Sequence, residues 1–85
     1  MRLETMYYGI DVEATGQNIA RLRKAAGLSV RDIQAAMGFT APNAVYKWER
    51  GKSIPALEHL MVLSKLFGVK MEDILIWSRP PPINS

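Results

Sequence analysis

The sequence predicts an all-α domain of five short helices. Apolar residues recur at helical spacing in five separate stretches, and Gly27, Gly38, Gly51 and Gly68 stand where four of those stretches end. No stretch alternates apolar and polar residues for long enough to make a useful strand. The 85 residues are one domain's length, and 48% apolar content is enough to close a single core. Cysteine is absent, which excludes disulfides, thiolate metal sites and a cysteine nucleophile, so stability must come from packing.

Helix one is expected to start after Asp11, a good N-cap, with Glu13 in its first turn. Val12, Thr15, Ile19, Leu22 and Ala26 share one face. Gly16 interrupts it at about 1 kcal/mol relative to alanine, which leaves Thr15 as an alternative start. Gly27 ends it in a left-handed cap, with Leu28 folding back. Ser29 opens helix two, Asp32 stands three residues on as in a capping box, and Val30, Ile33 and Met37 form the apolar stripe. Phe39 is read as a core plug beneath the following turn. Thr40 or Ala41 is expected to cap helix three, with Pro42 in its first turn, where a missing N–H costs nothing. The run KSIP is extended, because residues before proline avoid helical geometry.

Helix four is expected from about Pro55 to Phe67, with Leu57, Leu60, Leu63 and Phe67 inward. Met61, Val62 and Leu66 make it apolar nearly all round, so it should be buried on more than one side. Helix five is placed at Met71 to Trp77. The resulting division is an N-terminal extension over 1–10, a folded domain over 11–77 and a proline-rich tail, SRPPPINS, over 78–85. No apolar run approaches the roughly 20 residues a membrane helix needs, and the N-terminus MRLETMYYGID has no signal-peptide pattern. A cytoplasmic protein with no membrane partner is expected.

The stretch 28–55, LSVRDIQAAMGFTAPNAVYKWERGKSIP, is the most informative. Val45 and Trp48 give helix three an apolar face, and Asn43, Tyr46, Lys47 and Arg50 form its outward arc. The charge points the same way. Residues 21–52 carry Arg21, Arg23, Lys24, Arg31, Lys47, Arg50 and Lys52 against only Asp32 and Glu49, while the chain as a whole is +3. Amide, phenol and cationic groups on a short exposed helix beside a basic loop suit a groove of double-stranded DNA. Asn43 can pair with an adenine edge, and Lys47, one turn later, can reach guanine or a phosphate. Tyr46 suits a phosphate, a thymine methyl or packing at the helix flank. Ser29, Arg31, Arg50 and Lys52 are phosphate candidates, Ser29 together with the free N–H groups of its helix. Trp48 is core.

Enzyme readings have little to stand on. The GKS at Gly51–Ser53 lacks the earlier glycine of a phosphate loop, and Glu72 with Asp73 reads as first-turn helix chemistry. His59, the one histidine, has no partners for a metal site and is expected at the surface or an interface; no cofactor and no metal are expected.

From Gly16 to Leu75 the chain resembles the phage-repressor-type (Cro/CI, Xre-like) helix-turn-helix family. The matching pieces are NIARLRKAAGLS, the helix ending AAMG, AVYKWERGKSIP and LEHLMVLSKLFGVKMEDIL. The resemblance implies a compact five-helix, lambda-repressor-like domain with the helix-turn-helix at helices two and three. It further implies a sequence-specific transcriptional regulator, usually dimeric, and a structural ion pair between Arg23 and Glu49. Three positions depart from the pattern. Val30 replaces a phosphate-touching glutamine, Gln34 replaces a small residue where helix three crosses, and the turn from Gly38 to Val45 is one residue longer. Met61, Val62, Leu66, Ile76 and Trp77 exceed what one small core needs and are dimer-interface candidates. The alternative within the fold is an antitoxin or protein-interaction module that acts mainly through a protein partner.

Overall fold

A computed structural model describes residues 9–78. Its elements are β1 (Gly9–Ile10), α1 (Val12–Ala25), α2 (Val30–Met37), α3 (Asn43–Glu49), α4 (Leu57–Phe67), α5 (Met71–Ile74) and β2 (Trp77–Ser78). Residues 1–8 of the N-terminal extension, and all of the tail after Ser78, lie outside the described residues.

Asp11 caps α1 as its side chain accepts the Ala14 amide at 2.9 Å, so the helix starts at Val12 rather than Thr15. Thr15 and Ile19 are buried and Leu22 half-buried, whereas Ala26 falls past the last turn and is exposed. Ile19, Ile33, Val45, Trp48, Leu60, Leu63 and Ile74 form one core shared by all five helices. Phe39 packs against it with its ring edge-on to Trp48 at 5.8 Å between centroids.

Gly16 has a tertiary purpose. A Cβ there would overlap the Trp48 carbonyl oxygen and lie 2.9 Å from that of Glu49. At the same contact Gly51, at φ +71°, closes the end of α3, and a Cβ on it would sit 2.7 Å from Glu13 Cα. Two glycines thus let the backbone of α1 lie directly against the C-terminal end of α3.

Three expectations need correcting. Neither Thr40 nor Ala41 caps α3, which begins at Asn43 after Pro42 with no side-chain cap. The chain spends Gly38 to Pro42 on the turn. Leu57 does not face inward but is 66% exposed. It lies in the first turn of α4, at the outer edge of the face formed by His59, Leu60, Leu63, Leu66 and Phe67.

The third correction concerns the C-terminal end. Helix α5 stops at Ile74, and Leu75 turns extended at ψ 130°. Two buried polar residues of α1 account for this. Asn18 donates its amide to the carbonyls of Asp73 (2.9 Å) and Ile74 (3.0 Å), and Thr15 Oγ1 accepts the Ile76 amide at 2.9 Å. The Asp11 amide in turn donates to the Ile76 carbonyl at 2.7 Å. Groups that a longer helix would have used internally are satisfied from α1 instead. Trp77 and Ser78 then pair antiparallel with Ile10 and Gly9.

The close approach of α1 and α3 makes Gly16→Ala informative. Better helix propensity should contribute about 1 kcal/mol, and the overlap with two carbonyls should cost about 1–3 kcal/mol or more. Thermal unfolding should show a lower midpoint than the parent. A midpoint raised by several degrees would mean that the two backbones have more room than this geometry gives.

Candidate nucleic-acid interface

The interface begins at the N-terminus of α2. Ser29 Oγ accepts the Asp32 amide at 3.0 Å, and Asp32 Oδ2 accepts the Ser29 amide at 2.7 Å, completing a capping box. These bonds, the one from the Ser29 backbone foremost, hold the Asp32 carboxyl below its usual pKa. The box also changes what this end offers a phosphate. The box occupies the Ser29 and Asp32 amides, leaving the Val30 and Arg31 amides, the Ser29 hydroxyl hydrogen and the exposed Arg31 side chain as the donors there. Val30, which stands where the family carries glutamine, is half-buried against the core.

After α2, Gly38 reverses the chain in a left-handed turn at φ 72°. Helix α3 follows with Val45 and Trp48 fully inward. That orientation turns Asn43, Tyr46, Lys47 and Arg50 outward together, and all four are exposed. Arg50 places its guanidinium over the Tyr46 ring at 5.5 Å, so Tyr46 steadies a cation on this face. Lys52 is exposed in the loop beyond, its amide donating to the Lys47 carbonyl at 2.9 Å.

The other end of α3 is tied down by Arg23. Its Nε and Nη2 donate to the two Glu49 carboxylate oxygens at 2.7 and 3.2 Å, and Nη1 donates to the Leu28 carbonyl at 3.0 Å. Each side chain of the pair is only 13% exposed. The hydrogen bond that Arg23 donates to Glu49 raises the Arg23 pKa above its ordinary value, so the guanidinium stays charged. One ion pair therefore links α1, the α1–α2 turn and the end of α3.

Reading the sequence missed two contributors. Gln34 reaches from α2 into the turn, its Nε2 donating to the Phe39 carbonyl at 3.3 Å. His59 is half-buried rather than at the surface, 4.9 Å from the Phe39 ring and 5.7 Å from the Trp48 ring between centroids. Its signal was present: position 59 shares the inward face of α4 with Leu63 and Leu66. The dimer candidates do not form one uniform face. Met61 and Trp77 are 50% and 56% exposed, Val62, Leu66 and Ile76 are half-buried, and Leu66 packs against the core. No group of metal-ligating side chains occurs among the described residues, and no described helix is long and apolar enough to cross a membrane.

A family model described as helix-turn-helix matches residues 19–74, well over half of the chain. The chain belongs to the helix-turn-helix family of the Xre, Cro/CI type. Among solved structures, this helix-turn-helix chain is similar to the restriction-modification controller protein C.AhdI from Aeromonas hydrophila. That pair has a TM-score of 0.66 at 25% identity, over 75% of this chain and 96% of the other. The DNA-binding domain of BldD matches with a TM-score of 0.63 at 21% identity, over 78% and 94%. The clp gene regulator ClgR from C. glutamicum matches at 0.64 and 23%, over 78% and 84%. No curated protein sequence matches the chain significantly.

The capping box carries a pH prediction. Because the folded state lowers the Asp32 pKa, its contribution is fully present above the unfolded value near 3.9 and is lost as pH falls through the lowered folded value. The stability difference between the parent and Asp32→Asn, followed by urea unfolding from pH 6 downward, should therefore shrink in acid. A difference that is constant across this window would show that the carboxylate form is not what the cap uses.

Proposed function

We propose that this chain is a sequence-specific DNA-binding transcriptional regulator that lays α3 in the major groove, with α2 across the backbone. The observation that carries the reading is the orientation of α3. Trp48 and Val45 are locked into the core, which leaves Asn43, Tyr46, Lys47 and Arg50 presented together on an exposed face. Asn43, at the N-terminal end of that face, is placed for adenine, and Lys47 one turn on for guanine or phosphate. Arg50, Lys52, Arg31 and the Ser29 hydroxyl supply phosphate contacts, which position the domain without reading sequence. On this reading the activity is binding, without a catalytic step, and a cytoplasmic location goes with it.

Two copies binding half-sites about 34 Å apart, one turn of DNA, complete the proposal. The exposed Met61 and Trp77 supply apolar surface for the second copy, with the half-buried Val62, Leu66 and Ile76 as the further candidates. Residues 11–77 are taken as the binding domain, with the segments on either side as its extension and tail. Leu57 and Met61, one turn apart on the outer side of α4, favour a second reading in which a protein partner docks there.

Lys47→Ala combined with Arg50→Ala should weaken DNA binding with little change in melting temperature. The slope of log affinity against log salt should flatten by about 0.9 for each phosphate contact removed. Unchanged binding and slope would take α3 out of the interface. Sedimentation of the free chain and of its DNA complex should show a dimer in the complex. A single copy at high micromolar concentration, with and without DNA, would remove the two-fold arrangement.

A further inference from the structure

We propose that Gln34 is a positioning residue for base reading, and that it acts by clamping both the N–H and the C=O of Phe39. This rests on the DNA-binding reading above. The Gln34 carbonyl accepts the Phe39 amide at 3.0 Å, and the Gln34 side-chain amide donates to the Phe39 carbonyl at 3.3 Å. The Phe39 ring is held from the other side, edge-on to Trp48 and to His59. Phe39 is therefore fixed through backbone and ring at once. Only Thr40, Ala41 and Pro42 separate it from Asn43, the first residue of α3.

The clamp matters because the start of α3 has no cap, and only Ala44 and Val45 hold its first turn to the core. Pro42 provides no side-chain cap, Thr40 and Ala41 are exposed, and the helix is only seven residues long. The ion pair at Glu49 and the buried Trp48 secure its far end. Val45 sets which way the near end faces, and the turn before Asn43 sets how firmly that first residue is held. A bidentate pair between an amide and adenine requires tight placement, whereas phosphate contacts by flexible cations do not. Loosening Phe39 should therefore cost base discrimination and leave non-specific affinity intact.

The test is Gln34→Met in the full chain, which keeps the volume and removes the donor. Two measurements are made. Amide exchange in the free protein should quicken about tenfold at Phe39 and Tyr46, whose amides donate to the Gln34 and Pro42 carbonyls, the scale of losing one hydrogen bond, and stay unchanged in α1 and α4. The ratio of affinities for a site selected by the parent from random DNA and for unrelated DNA should fall about tenfold, within the reach of one bidentate base contact. Affinity for unrelated DNA and its salt slope should not move. Gln34→Glu, which keeps the shape and replaces the donor by an acceptor, should repeat the pattern if Gln34→Met folds poorly. Parent-like exchange and discrimination in either folded variant overturns the clamp. A parent chain with no sequence preference overturns the reading beneath it, and the exchange experiment then decides the clamp alone.

Discussion

The architecture depends on how closely α1 approaches the end of α3. Gly16 brings the helix backbone against the Trp48 and Glu49 carbonyls, Gly51 brings the chain after α3 against Glu13, and the Arg23–Glu49 pair closes the same junction from the side. A helix of seven residues is too short to be stable alone. It persists here because its inward residues are buried and its last turn is held against a longer neighbour. The orientation of the exposed face follows from that anchoring, since fixing Val45 and Trp48 fixes the opposite arc.

Electrostatics at the proposed surface divides unevenly. The cations of α3 and the following loop project freely, apart from Arg50, which rests on the Tyr46 ring. At the start of α2 the capping box occupies the Ser29 and Asp32 amides and sets a carboxylate beside them, while the Val30 and Arg31 amides stay open.

Much of the fold was legible in the sequence because helical periodicity and glycine stops are local signals. The inward pair Val45 and Trp48, and the outward arc from Asn43 to Arg50, follow from a 3.6-residue repeat alone. Leu57 was misread because hydrophobicity does not show which side of a nearly all-apolar helix finds a neighbour. The end of α5 was misread for another reason: strands of two residues have no period to detect. The clue lay elsewhere, in Thr15 and Asn18 standing as polar residues amid the apolar positions of α1 and needing partners once buried. The Gln34 contact is a tertiary bond across a turn, and spacing carries no trace of it.

The pairing of Gly9 with Ser78 has a geometric outcome. Because the two short strands run antiparallel, the described chain enters and exits at one spot, next to the N-terminal end of α1. A label attached at Gly9 or at Ser78 would emerge from that shared corner. Force applied between the two ends would first peel the ribbon open, one residue pair at a time, before any strain reached the helices.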